Sequence, residues 1–259
     1  MKKALVTGAA RRLGRAMALS LGEAGYDVAV HCNGSVDEAE EVAERIRAMG
    51  NKAAVIQADL LNDAETESVV ARASEALDGR LTLLVNNASI FEEDALGSIT
   101  GESWHRHMQS NLHAPVLLTQ AFAKQAPAPL SGPDDRLVAQ ALVVNMIDQR
   151  VHKLTPQFMS YTLAKSALWT FTRTAAQSLA PAVRVNGIGP GPTLQGDRQS
   201  EEDFTAQQQA TLLQRGADPA DVCAALLYLA SAPSVTGQML CVDGGQHLAW
   251  ETADINVQE

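Results

Sequence analysis

Residues 3–14 read KALVTGAARRLG, and the change of character within this stretch decides the fold. KALV is an apolar run of strand length. Thr7, Gly8, Ala9 and Ala10 interrupt it with small residues, and from Leu13 apolar side chains recur at helical spacing through LGRAMALSLGEAG, residues 13–25. Strand, glycine turn and helix thus follow one another within the first 25 residues. The basic start and apolar stretch imitate a secretory leader, but the stretch is short, contains Thr7 and Gly8, and is closed by Arg11 and Arg12. A first strand is the better reading, and the cytoplasm is the expected location.

The alternation continues down the chain. YDVAVH (26–31), KAAVIQADL (52–60), LTLLVNN (81–87), ALVVNMI (141–147), VRVNGIG (183–189) and QMLCVDGG (238–245) read as further strands. Between them lie helical stretches at 36–50, 63–77, about 104–126, 161–179 and 219–230. Seven apolar strands separated by amphipathic helices predict an α/β fold: a doubly wound, seven-stranded parallel sheet with helices on both faces, of Rossmann type. Residues 1–250 are expected to form one domain and residues 251–259 a tail without periodicity. APAPLSGPDDR (126–136) reads as an extended surface loop, and the polar residues 195–209 as a candidate lid.

With 259 residues the chain can bury a substantial core as one unit. Its net charge of -10 argues against a nucleic-acid partner, since no cluster of Lys and Arg supplies the footprint such binding needs. Nowhere do 18 apolar residues run together, so no membrane span is expected. Cys32, Cys223 and Cys241 are too few and too scattered for a disulfide framework or a metal knuckle, and no metal is expected.

The turn after the first strand is the natural seat for a pyrophosphate, because its glycines, Gly8 and Gly14, let backbone approach and a helix N-terminus offers N–H donors. Arg11, Arg12 and Leu13 lie in the same turn. The carboxyl edge of the sheet adds Asp59 and Leu60 after the third strand and Asn87, Ala88 and Ser89 after the fourth. Each also reads as a turn former or helix cap. The second strand ends in HCNGS (31–35), so His31, Asn33 and Ser35 stand where a ribose is held, with no Asp or Glu in that run to repel a 2′-phosphate. That favours NADPH as cofactor, with NADH the alternative. Tyr161 and Lys165, in YTLAK, fall on one face of one helix. The ammonium is expected to lower the tyrosine pKa and so make a usable proton donor and acceptor.

These motifs, in this order, resemble the short-chain dehydrogenase/reductase family across residues 2–250. The resemblance implies that Asn111 helps organise a relay water, that Tyr161 is the general acid with Lys165 as its partner, and that Pro190, Gly191 and Thr193 lie in the segment holding the nicotinamide carboxamide. It also implies self-association as a dimer or tetramer. Asp148 departs from the family pattern, which has serine thirteen residues before the tyrosine. An ionised carboxylate there would oppose the alkoxide of ketone reduction and suit a substrate carrying N–H donors.

The same departure resembles the pteridine reductase branch. Phe91 in NNASIF (86–91) falls where that branch stacks an aromatic ring on the pterin, and Arg12 where it contacts cofactor and pterin. Arg12, Phe91, Asp148, Tyr161 and Pro192 are the expected substrate contacts. Gly34 stands where the branch carries a basic residue for the 2′-phosphate. The expected activity is NADPH-dependent hydride transfer to a pterin or dihydrofolate-like heterocycle. The alternatives are a broad carbonyl or quinone reductase and a non-catalytic dinucleotide-sensing protein.

Overall fold

In the computed structural model, which describes residues 2–196 and 199–251, the alternating pattern becomes a three-layer α/β sandwich. The elements run β1 (Lys3–Val6), α1 (Arg12–Glu23), β2 (Asp27–Cys32), α2 (Val36–Ala48), β3 (Ala53–Gln57), α3 (Asp63–Ala76), β4 (Leu83–Asn86) and α4 (Gly101–Met108). They continue through α5 (Ala114–Gln125), β5 (Leu130–Ser131), β6 (Leu137–Val138), β7 (Ala141–Met146), α6 (Met159–Leu179), β8 (Val183–Pro190), α7 (Glu201–Gln209), α8 (Pro219–Ser231) and β9 (Met239–Val242). The main sheet has seven parallel strands in the order β3-β2-β1-β4-β7-β8-β9.

Side-chain alternation along the strands divides the core in two. From β1, Ala4 and Val6 join Met17, Leu21, Ile46, Val222 and Leu226 beneath α1, α2 and α8. Leu5, from the same strand, joins Val69, Leu77, Leu118 and Phe122 beneath α3 and α5. A strand buried on both faces has no polar side to show water, which is why these strands read as unbroken apolar runs.

Two expectations are corrected. The stretch 126–136 is not wholly an extended loop: Leu130–Ser131 and Leu137–Val138 pair antiparallel into a small hairpin. The long helix expected over 104–126 is α4 and α5 joined by a π-helical turn, Gln109–His113, which carries Ser110 and Asn111. The expected lid at 195–209 contains α7, while its residues 197 and 198, like the tail residues 252–259, lie outside the described residues. No helix among the described residues is long and apolar enough to cross a membrane.

From β1 the strand order runs one way to β2 and β3 and the other way to β4, β7, β8 and β9. The reversal opens a crevice at the carboxyl ends of β1 and β4, the position where sheets of this kind bind ligands.

Candidate active site

The turn between β1 and α1 is built around a close approach. Gly8 has φ +62°, and a Cβ added at Gly14 would stand 2.1 Å from the Gly8 carbonyl oxygen and 2.6 Å from Asn87 Nδ2. Asn87 Nδ2 donates to Thr7 O at 2.8 Å, and Thr7 Oγ1 accepts from the N–H groups of Asn87 and Ala88. The ends of β1 and β4 are thereby locked together. Arg11, the N-cap of α1, makes no side-chain capping bond, and the first turn holds no acidic residue. By contrast, Asn62, Ser200 and Asp218 cap α3, α7 and α8 with their own side chains. An uncapped, carboxylate-free helix start beside a glycine cradle is chemically suited to a pyrophosphate.

Arg12 adopts φ 51° and donates through Nη1 to Gln195 O at 2.8 Å and through Nη2 to Leu194 O at 3.1 Å. It therefore ties the phosphate turn to the chain leaving β8. Along that chain, Gly191 N donates to Val242 O and Thr193 Oγ1 donates to Gly191 O, both at 3.0 Å. A Cβ at Gly191 would lie 2.6 Å from Asp243 Cβ. Pro192 is buried beside it, its carbonyl accepting from Gln208 Nε2 of α7 at 3.3 Å.

On the opposite wall of the crevice, Tyr161 and Lys165 occupy the first and second turns of α6 and face β7. Tyr161 Oη donates to Asp148 Oδ2 at 2.9 Å, while Asp148 Oδ1 accepts from Arg150 N at 2.8 Å. Lys165 Nζ donates to Met146 O at 2.8 Å and lies 5.6 Å from the Tyr161 ring centroid. Phe91 sets its ring edge-on to Tyr161 with centroids 4.7 Å apart, and stacks on Phe158 at 4.2 Å with the planes 9° apart. Arg150 lies over the Phe158 ring at 5.3 Å. Asn111 holds the loop carrying Phe91: Oδ1 accepts from Ile90 N at 2.9 Å and from Ser89 Oγ at 3.0 Å, and Nδ2 donates to Ile90 O at 2.8 Å.

Over residues 8–247 the chain matches the family described as enoyl-(acyl carrier protein) reductase, adh_short_C2. The chain belongs to the short-chain dehydrogenase/reductase family. Within this family it is similar to FolM alternative dihydrofolate reductase 1 from Brucella suis, solved in complex with NADP. The two are 47% identical with a TM-score of 0.90, each chain being covered to 98%. The corresponding protein from Brucella canis, also complexed with NADP, is 46% identical with a TM-score of 0.89, over 99% of this chain and 98% of that one. Pteridine reductase 1 of Leishmania tarentolae is 34% identical over 285 residues, covering 95% of this chain and 96% of its own length. The resemblance read from the motifs to this family and its pteridine reductase branch is thus borne out.

In this member of the short-chain dehydrogenase/reductase family, the electrostatics of the tyrosine run opposite to the sequence expectation. Burial raises the Tyr161 pKa well above its ordinary value, and the adjacent Asp148 carboxylate raises it further. Arg150 and Ser89 oppose the shift without reversing it. Burial also raises Asp148, against the bonds from Arg150 N and Tyr161, and brings Lys165 down to about 8 although Asp148 pulls it up. At neutral pH, Tyr161 is therefore a firmly protonated donor between Asp148 and the Lys165 ammonium.

Several residues expected at the dinucleotide take supporting positions. His31 is buried, with Nδ1 accepting from Gly8 N at 3.1 Å and Nε2 facing Ala58 O at 3.1 Å. Its ring props the turn, both nitrogens being engaged by the protein. Asp59 Oδ1 accepts from Leu61 N at 2.9 Å, and Leu60 is buried against α3. Asn33 is exposed and Ser35 half-buried, at the start of α2.

The sequence reading missed Glu38. From the first turn of α2 it pairs with Arg11, whose Nε donates at 3.0 Å and whose Nη2 makes a second, shorter contact. A carboxylate therefore stands three residues beyond the HCNGS run after all, paired with Arg11. Glu38→Gln is expected to release Arg11 and tighten NADPH binding about two- to fivefold relative to NADH, the scale of an exposed ion pair. Fluorescence titrations with the two nucleotides at low salt would read the ratio, and an unchanged ratio would remove Arg11 from the 2′-phosphate site.

His31 also makes an acid-stability prediction. Burial lowers its pKa from 6.5 to about 4. Between those values the unfolded chain binds the proton and the folded chain does not, so stability is intact above pH 6.5 and is lost as pH falls toward 4. The full contribution is about 3 kcal/mol. Urea midpoints measured from neutrality down to about pH 4.5 should fall less steeply for His31→Gln than for the parent.

Proposed function

We propose that this chain is an NADPH-dependent reductase that delivers hydride to a pterin or dihydrofolate-like ring. The observation carrying this reading is the Asp148 carboxylate, hydrogen-bonded at 2.9 Å to Tyr161 Oη beneath the edge of Phe91. A carboxylate beside the proton donor suits a substrate presenting ring N–H or amino groups and opposes a developing alkoxide. The similarity to the NADP-bound FolM proteins and to pteridine reductase 1 supports the same substrate class and cofactor.

The β1–α1 turn, with Gly8, Arg12, Leu13 and Gly14, would hold the pyrophosphate. Arg11, Asn33 and Ser35 lie toward the adenosine ribose, and Asp59 and Leu60 toward the adenine. Asn87, Ala88 and Ser89, with Pro190, Gly191 and Thr193, would line the nicotinamide half. When bound, NADPH supplies the hydride. Tyr161 holds the proton for ring nitrogen at Oη, and Lys165 balances the Asp148 charge from the far side of the phenol. Asp148 orients the phenol and accepts from the heterocycle, while Phe91 and Pro192 confine the ring. Asn111, whose amide bonds Ile90 and Ser89, acts on the loop that carries Phe91. The small heterocycle is the expected partner. Self-association as a dimer or tetramer is supported by the apolar groove between α5 and α6, lined by Val116, Ala123, Phe171 and Leu179.

The test is oxidation of NADPH and NADH by purified protein, run in parallel with dihydrobiopterin, dihydrofolate and a panel of ketones. Heterocycle turnover with NADPH supports the reading. Turnover of ketones alone would overturn it and return the protein to general carbonyl reduction.

A further inference from the structure

Behind Tyr161, on the side away from the crevice, lies a buried polar chain that the proposed reaction does not use. His107 of α4 is fully buried, as is Ser160 of α6, and Asp94, from the loop after β4, is 3% exposed. His107 Nε2 accepts from Glu92 N at 3.1 Å and its Nδ1 meets Ser160 Oγ at 2.6 Å. Ser160 Oγ in turn bonds Asp94 Oδ2. Accepting a backbone N–H at Nε2 fixes the neutral tautomer with its proton on Nδ1. The proton direction is then consistent throughout: Glu92 N–H to His107, His107 to Ser160, Ser160 to Asp94. Burial lowers the His107 pKa against the opposing pull of Asp94 and Glu92, with Arg106 adding to the lowering, and so keeps the ring neutral.

The chain joins two segments that carry chemistry. Phe158, the N-cap of α6, has φ 53° and offers no side-chain cap. The helix start is instead held from outside, Met159 N donating to Asp94 O at 3.3 Å and Ser160 N to Asp94 Oδ1 at 3.0 Å. Ser160 immediately precedes Tyr161, and Glu92 immediately follows Phe91. The five-residue span 90–94, which carries Phe91, is gripped at Ile90 by Asn111, at Glu92 by His107 and at Asp94 by α6. Its ring therefore has little freedom to move independently of the phenol.

We propose that His107 and Ser160 are positioning residues: by linking the Glu92 backbone to the first turn of α6, they set the placement of the Phe91 ring against the Tyr161 hydroxyl. This rests on the heterocycle-reductase reading. The network makes no bond to the phosphate turn or to Tyr161 Oη, and meets the proton donor only ring to ring, the His107 and Tyr161 centroids standing 6.2 Å apart at 74°. Its loss should therefore misplace the stacking ring while cofactor binding stays as it was.

The experiment compares wild type, His107→Leu, Ser160→Ala and the double variant in NADPH affinity, dihydrobiopterin KM and kcat, and thermal midpoint. Each single variant is expected to raise KM about tenfold or more, with a smaller fall in kcat and NADPH affinity unchanged. The double variant is expected to lose little beyond the worse single one, because both break the same chain. A purely structural role would lower the thermal midpoint and leave KM of the folded protein at its wild-type value, and that result overturns the proposal. Should His107→Leu not fold, Ser160→Ala, which removes one hydroxyl, carries the KM comparison alone. Wild type inert toward both dihydrobiopterin and dihydrofolate overturns the functional reading, whereas unchanged variants beside a wild type active on either, with KM read on that substrate, overturn the positioning role only.

Discussion

Tyr161→Phe should lower kcat for the heterocycle by about 10²–10⁴-fold, the range of a positioned general acid, with NADPH affinity retained. The phenol donates to Asp148 Oδ2 at 2.9 Å, and it stays protonated because burial and the neighbouring Asp148 both raise its pKa. Phenylalanine keeps the ring that meets Phe91 and removes only the hydroxyl, so the thermal midpoint should move by no more than a few degrees. Retention of more than about a tenth of the activity would remove Tyr161 from the proton transfer.

Asp148→Asn extends the same argument to pH. In the parent, kcat/KM should decline as pH rises through about 8, where Lys165 loses its proton. The Asp148 charge raises the Lys165 pKa. Its removal should shift that decline to lower pH, and a shift to higher pH would show that Lys165 does not govern the alkaline limb.

Gly14→Ala should abolish measurable NADPH binding at concentrations that saturate the parent. The new methyl would meet the Gly8 carbonyl oxygen at 2.1 Å and Gly8 C at 2.8 Å, both backbone atoms held by the Thr7–Asn87 bonds. Asn87 Nδ2, at 2.6 Å, is a side-chain end that can give way, but the two Gly8 atoms are backbone, so the turn itself must move. Overpacking of this kind costs about 1–3 kcal/mol, and it falls on the cradle the pyrophosphate needs. Gly34→Ala is the matched control, since nothing lies within 4 Å of its added Cβ. Dinucleotide titration of both variants, with thermal midpoints alongside, separates a lost cradle from general destabilisation. Parent-like binding by Gly14→Ala would place the pyrophosphate elsewhere.

The strand runs and glycine turns were legible because burial on both faces of a parallel sheet leaves a long apolar signature, as in ALVVNM of β7. The β5–β6 hairpin escaped because strands of two residues have no period to read. Helix α7 was legible in principle: Ser200 accepts from Asp203 N, and the S-x-x-D spacing before a helix marks such a cap. The π-helical turn at Asn111 leaves no such mark in the residues. Tyr161, Lys165 and Asp148 could be placed together by spacing and resemblance, but the sign of the tyrosine shift could not. It depends on how closely protein surrounds the pair: desolvation and the Asp148 charge outweigh the lowering by Arg150 and Ser89. Glu38 and the Asp94–Ser160–His107 chain were hidden because their partners lie 27 to 66 residues away and meet only in the folded chain.

The strand order also allows the sheet to assemble in the order of its synthesis. Once Gln57 has left the ribosome, β1, β2 and β3 can pair, and the open edge of β1 then waits for β4. From there each new strand of the sheet docks on the one made just before it: β7 on β4, β8 on β7, β9 on β8. The growing sheet thus presents one advancing edge, and the glycine cradle is complete at Ala88, while Tyr161 is still to be translated. Stalled chains ending between these points would carry an assembled nucleotide cradle beside a bare apolar edge, the combination that most needs chaperone cover in a nascent protein.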